Sequence, residues 1–541
     1  MSSSSSPGGR ARGAALVVAL GAVAAVLAAA PYKTFDLDRY FVPKELALYA
    51  TATLATALCI SRARRITLAA ADVALLGYLA LSVISALFAP NKWLAERAIG
   101  VSLAGAAVYW TAKALARAGA ARPVLIGIAL AAVVAACTSL LQAYGYENQY
   151  MSVNRAPGGT LGNRNFVAHV AAIGAPMLVL CVIEARNILG SFAATLGVAA
   201  CSAALFMSRS RGAWLAVIVG AAVCVVCGLL GKSRWHDARR AGRVVLLIGA
   251  TVAGVAAAWL LPNTLDWNSR SPYLDSVRGI VNSKEGSGLG RVVQYKHTLL
   301  IAKAHPLLGV GPGNWPVAYP RVAPRGDPSL DHETGMTSNP WPSSDWMAAI
   351  AERGAPAALL LLFVFATIAL SAVRAMYWAK DGTAFVAAVA LLATLVATLI
   401  VGAFDAVMLL ALPSLLVWAA LGALGPLAAQ APKGGERALS DAARKRLLVA
   451  VIVTGSAFAL RGVLQLVAMA SYSSGERTVM IEHAARADPG SYRIRLRLAE
   501  SYASRGDCEG VRKEGGAAHA LFPEAAAPKR LLSSCGVKSG R

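Results

Sequence analysis

Long apolar runs separated by short polar stretches dominate this chain. Runs near 13–30, 46–61, 66–89, 98–114, 123–143, 166–184, 190–208, 212–230, 244–262, 355–374, 384–404, 406–430 and 447–470 each approach the ~20 apolar residues that a helix needs to cross a bilayer. None shows the strict apolar/polar alternation of a membrane β-strand. The pattern predicts an all-α protein, a polytopic transmembrane helical bundle of about 12–13 spans. Two polar stretches interrupt the rhythm, a long loop at 263–354 and the tail after residue 470. The expected organisation is an N-terminal tail at 1–12, a membrane domain at 13–470 that includes the long loop, and a helical C-terminal segment at 471–541.

Composition agrees: the chain is 57% hydrophobic and only 15% charged. A formal charge of +24 would point to nucleic acid if Lys and Arg formed a stripe with interleaved aromatics. They cluster instead in connections between apolar runs, at 62–65, 113–122, 232–243, 374–380 and 433–446. Threading the spans with the N-terminus in the cytoplasm puts all these clusters on the cytoplasmic side, as the positive-inside rule requires. The same threading sends 31–45, 90–97, 144–165, the turn at 208–211, the loop 263–354 and the tail to the periplasmic face. A multi-pass protein of the bacterial inner membrane is therefore expected, with membrane lipids as surroundings and no nucleic acid as partner. The first apolar run opens a regular series of spans and reads as an anchor rather than a cleaved leader.

Six of the eight cysteines lie inside apolar spans, where a thiol behaves as a small hydrophobe. Cys224 and Cys227 have the CxxC spacing, but within a hydrophobic run, which favours packing over redox chemistry. Cys508 and Cys535 both fall in the tail assigned to an oxidising compartment, and a disulfide between them is predicted. The tail reads as helical hairpins, with breaks at Asp488-Pro489-Gly490 and Gly506. Ala484, Pro489, Leu498, Ala499, Tyr502, Gly506, Ala517 and Pro523 resemble tetratricopeptide repeats. Such a segment suits either a surface for a protein partner or a cap docked on the membrane domain.

The periplasmic side collects arginines and glycines. Gly158-Gly159-Thr160-Leu161-Gly162-Asn163-Arg164-Asn165 leads back into one span, and Ser208-Arg209-Ser210-Arg211-Gly212 joins two others. Arginine is disfavoured on this side, so two in one tight turn need a reason. Arg209 at an interface can simply snorkel. A guanidinium beside a glycine turn, as at Arg211, is also suited to holding a phosphate or pyrophosphate at headgroup depth. In the long loop, Arg291-Val-Val-Gln-Tyr295 begins a helix that leads to His305-Pro-Leu-Leu-Gly-Val-Gly-Pro-Gly-Asn314. No strand precedes this glycine run and no GK[ST] follows, so it is not a nucleotide fingerprint.

The order of these motifs, closed by Asp345-Trp-Met and Ala351-Glu-Arg-Gly354, resembles the O-antigen ligase and O-antigen polymerase superfamily over roughly residues 30–430. The resemblance implies a GT-C-like bundle that moves a glycan from an undecaprenyl-pyrophosphate carrier onto an acceptor such as lipid A core, without metal or other cofactor. It implies that Arg211 and Arg291 bind the donor pyrophosphate, with Arg291 also part of the catalytic loop. Arg209, Arg164 and Lys44 are further candidates for the pyrophosphate, although Lys44 in its loop also reads as part of an ordinary interfacial belt.

Where the family carries a histidine before the next helix, this chain has Ser343-Ser344. Three readings stay open: His332, beside Glu333, reaches the same point from the loop; Asp345 serves as base, although an acid starting a helix also caps amides; or this acceptor needs no base. His305, His169 and His297 read as structural, and no histidine has metal-site spacing. Arg461 within the last apolar run calls for a partner, for which Asp405 is a candidate. Besides a ligase, a polymerase that extends carrier-linked glycan, a lipid-linked sugar transporter and a non-enzymatic scaffold fit parts of the pattern.

Overall fold

A computed structural model describes residues 9–235, 237–267, 269, 271–278, 286–331, 333–379, 381–429, 436–475 and 477–536. Among them, twelve helices are long and apolar enough to cross a membrane, and the only strands are two short antiparallel pairs. The chain is an all-α polytopic bundle. The remaining predicted span, near 46–61, lies in the helix Asp38–Ile60, which is less apolar because its first turns carry Asp38, Arg39, Lys44 and Glu45. It packs against Gly9–Leu27, Lys92–Arg117 and Asp441–Ser473.

Ala411–Ala429, Arg164–Ile183 and Gly382–Phe404 are the most enclosed helices. Asp441–Ser473, Arg211–Leu230 and Ala238–Leu260 lie at the periphery, with Leu229, Leu230, Leu246, Val453 and Leu460 facing outward. Outward leucines on long helices are what a lipid environment selects.

Charged turns sort to two ends. At one end Arg65 pairs with Glu436 (2.9 Å) as residues 65–67 and 436–438 form a strand pair, Arg240 pairs with Glu184 (2.9 Å), and Arg234 donates to the Met376 carbonyl (2.6 Å). At the other end lie the loops 28–45, 144–165, 208–211 and 263–354, tied together by contacts such as Lys44 to the Thr160 carbonyl and Thr264 to the Ala143 carbonyl.

One predicted boundary held and another moved. Ser344 caps the amides of Trp346 and Met347 and starts a helical segment at Asp345, and the break at Gly354 separates that segment from the span predicted to begin at 355. Conversely, the predicted span 406–430 begins only at Ala411, because the amides of Val407 and Met408 bond to the Asp345 carboxylate in a turn (3.0 and 2.9 Å).

The Asp345–Trp378 helix is broken at Gly354 (φ 81°, ψ 166°), and the glycine-rich run fills the break. Pro356 has no amide hydrogen, which leaves the Glu352 carbonyl without its helical partner. That carbonyl accepts instead from Gly311 N (2.9 Å) and Ser85 Oγ (3.0 Å), while Ala351 O accepts from Val310 N (3.0 Å) and Ala355 N donates to Pro306 O (2.8 Å). The Glu352 carboxylate takes the amides of Gly313 (2.8 Å) and Trp315 (3.3 Å). Gly309, Gly311 and Gly313 all have positive φ, and a Cβ at Gly309 would stand 2.3 Å from the Glu352 carbonyl carbon. The alternating glycines are required by backbone geometry.

The tail forms four short helices, Thr478–Ala487, Tyr492–Ala503, Cys508–Leu521 and Ala526–Ser534, with Cys508 and Cys535 joined by a disulfide. It docks on the loop end of the bundle. Ile481, Ala484, Ile494 and Leu498 pack with Phe35, Val42 and Met469, Ala526 N bonds to Thr334 O (2.9 Å), and Arg321 pairs with Glu524 (3.1 Å).

Candidate functional site

The turn after Ile188–Ser208 sets the first cations. Arg209 has φ 56°, the only positive value among the described residues other than glycine. A left-handed residue with a Cβ costs about 1–2 kcal/mol, so neighbours must hold it. Ser208 Oγ accepts from Ser210 N (3.2 Å), Trp214 Nε1 donates back to Leu205 O (2.8 Å), and Arg209 Nε donates to Ser276 Oγ in the long loop (2.9 Å). The Arg209 guanidinium lies 4.6 Å from the centre of the Trp267 ring, and that of Arg164, first residue of Arg164–Ile183, lies 4.9 Å from the same ring. One indole from the long loop thus gathers two guanidiniums from different helix ends.

Arg211 lies within electrostatic reach of both Arg209 and Arg291, and Arg164 within reach of Arg209 and Arg155. Arg291, on the loop helix Gly286–Ala304, is anchored by a hydrogen bond from Nε to the Phe404 carbonyl (3.1 Å). Burial pulls the Arg209 guanidinium below its ordinary pKa, opposed by Asp275 and Tyr273. Partly buried cations packed together repel one another, and an incoming anion would relieve that repulsion.

Beside the arginines lies a cavity of about 320 Å³, lined by Arg155, Asn163, Arg291, Trp341, Ser343 and Asp405 among others. Asp405 ends the helix Gly382–Phe404, and its Oδ2 lies 3.9 Å from His169 Nε2. Tyr295 holds the rim: its hydroxyl is within 2.7 Å of Ser343 O and 2.5 Å of Ala403 O, and burial pushes its pKa up to about 12, which keeps it a donor. Gln294 Oε1 accepts from Ser343 N (2.6 Å), fixing the serine that lines the cavity.

The other sequence candidates are dispersed. His332 lies outside the described residues. Asp345 is 3% exposed and its carboxylate is occupied by the Val407 and Met408 amides, a capping role that reaches across to another segment. Lys44 is also buried, and its ammonium donates to the carbonyls of Ala28 and Thr160. It braces the Gly158–Gly162 turn. The suggested pairing of Arg461 with Asp405 does not occur. Arg461 sits on the peripheral helix Asp441–Ser473, where it donates to the Trp93 carbonyl (2.7 Å) and lies 3.9 Å from Glu96, while Asp405 sits centrally against His169.

Sequence reasoning missed Asp405, Arg155 and Trp267 as members of this site. One carboxylate at the end of an apolar run gave Asp405 no distinguishing signal.

These features define a multi-pass membrane protein with a cavity lined by Arg155, Arg291 and Asp405 at one end of its helical bundle. Residues 196–362 match the family model described as O-Antigen ligase, so this segment is similar to that family. The match includes Arg209, Arg211, Arg291, the 309–313 glycines and Asp345, whereas Arg164, Lys44 and Asp405 fall outside it. No curated protein matches the chain. The family speaks in general for activity of the O-antigen ligase or polymerase type on a lipid-linked glycan donor and an acceptor.

Proposed function

We propose that the chain transfers a glycan from an undecaprenyl-pyrophosphate carrier to an acceptor hydroxyl at the periplasmic face of the bacterial inner membrane. The observation that supports this reading is that Arg291 and Asp405 line one cavity, with Arg211 within electrostatic reach of Arg291 and Arg209. In the reaction the bond between the sugar C1 and the pyrophosphate oxygen breaks, and its electron pair leaves with the pyrophosphate. Arg211 and Arg291, flanked by Arg209 and Arg164, neutralise the departing charge. The acceptor oxygen bonds to C1, and its proton passes to the Asp405 carboxylate, which His169 adjoins. Asp345 acts one step removed, by fixing the turn that follows Asp405. Lys44 holds the 158–162 turn from below.

Full-length protein in nanodiscs, given carrier-linked glycan and lipid A core, is expected to release undecaprenyl pyrophosphate. Arg211→Ala and Arg291→Ala should each lower the rate by about 100-fold or more, the scale of losing one transition-state donor, with an unchanged elution profile. Full activity in both variants would refute the assignment.

A further inference from the structure

A second and larger cavity, about 420 Å³, abuts the first. Leu37, Ser338 and Trp341 line both, so the two share a wall. Trp341 is held there edge-on to Phe41, with ring centres 5.2 Å apart.

The two chambers differ in chemistry. Around the first, guanidiniums crowd one another. In the second, one guanidinium is neutralised within the protein: Arg97 Nε donates to both Glu45 oxygens (2.7 and 2.9 Å) and Arg97 Nη1 to Asp38 (2.7 Å). Arg353, 2% exposed, contributes to the lining beside Glu352, and its Nε has no hydrogen-bond partner among the described residues. Trp93, Trp341, Tyr492 and Phe522 add aromatic faces. Neutralised ion pairs with aromatic faces suit a ligand that is uncharged, rich in hydroxyls and apolar on its ring faces, which describes a saccharide. The tail supplies one wall, through Asp488, Ser491, Arg493 and neighbouring residues.

We infer that this second cavity receives the saccharide of the acceptor and that the C-terminal tail, by forming its wall, takes part in acceptor selection. The inference rests on the glycan-transfer reading above. It places the acceptor hydroxyl at the Trp341 partition, across from the carrier pyrophosphate. The acceptor sugar can come from lipid A core or from a second carrier-linked glycan, and the test separates these sources.

Ser491 is half-buried in the wall, and its side chain makes no capping hydrogen bond, so Ser491→Cys should preserve the fold. Full-length S491C, before and after reaction with a bulky maleimide, is assayed for transfer to lipid A core, for transfer to a second carrier-linked glycan, and for binding of undecaprenyl pyrophosphate. Wild type treated alike controls for the free cysteines of the apolar helices. The adduct is expected to lower transfer more than tenfold in whichever arm the unlabelled protein supports, with carrier affinity changed less than twofold. Unchanged transfer, or carrier binding lost in parallel, overturns the acceptor cavity and leaves the transferase reading standing. Absence of transfer in both arms for unlabelled protein overturns both.

Discussion

Two cations held close together in a partly buried site are tolerated when their neighbours restrain them and gain when an anion arrives. Arg211 was singled out in the sequence because arginine on the side that the positive-inside rule disfavours is an anomaly that asks for a ligand, whereas Arg291 entered only through the family resemblance. Asp405 was not, since one carboxylate at the end of an apolar run carries no pattern, and only the fold sets it in a cavity wall with Arg291 and next to His169. Its role leads to a prediction: Asp405→Asn should lower kcat by 10²–10⁴-fold, the usual worth of a general base, with the KM for carrier-linked glycan little changed. A purely structural Asp405 would show instead as poor folding with normal specific activity. Lys44 should give the opposite signature. Lys44→Met leaves the Ala28 and Thr160 carbonyls unpaired in a buried place, at a cost of about 1–3 kcal/mol. Thermal melting should fall while carrier affinity in the folded fraction stays within twofold, and a selective loss of carrier affinity would restore Lys44 to the binding set.

At the scale of elements, the glycine run and the Asp345–Trp378 helix are one device. The sequence marked the glycines as a place of tight turning and set a helix start at Asp345 and a span start at 355, but it gave no sign that the glycine run fills the break between them at Gly354. Backbone pairing between 306–311 and 351–355 depends on both strands of chain, so neither motif explains itself alone. Gly309→Ala should therefore disrupt the pairing through a strained φ and contact with the Glu352 carbonyl carbon. A drop in melting temperature, together with faster hydrogen exchange at Val310 and Gly311, is the expected result; unchanged exchange would separate the two segments. The junction of tail and bundle has its own titratable group. Burial raises the pKa of the Asp488 carboxyl, against the opposing charge of Arg461. A carboxyl with a raised folded-state pKa favours the docked tail when protonated, and this advantage is lost as pH rises from the ordinary carboxylate value through the shifted one. Asp488→Asn should flatten that dependence, read as hydrogen exchange over Thr478–Ala487 between pH 4 and 7. A variant with the same pH profile as the native chain would show that Asp488 does not couple docking to protons.

For the molecule as a whole, the span pattern and the sorting of basic turns to one end were readable from hydropathy and charge alone, because lipid imposes length and polarity on every helix that crosses it. The docking of the tail against the loop end was not, since its contacts, such as Arg321 with Glu524 and Asn91 with the Leu521 carbonyl, join residues remote in sequence and ordinary in type. The disulfide between Cys508 and Cys535 ties the last two tail helices together. It closes a sequence separation of 27 residues, for which chain entropy gives about 3.5 kcal/mol of stabilisation. The bond spans the helices Cys508–Leu521 and Ala526–Ser534, and Phe522 between them lines the second cavity. Opening it should therefore loosen the acceptor wall while leaving the arginine cluster intact. In Cys508→Ser/Cys535→Ser protein, proteolysis of the tail should accelerate and the acceptor KM should rise several-fold, with undecaprenyl pyrophosphate affinity within twofold of the native chain. Equal losses for carrier and acceptor would mean that the tail supports the whole loop end rather than one chamber of it.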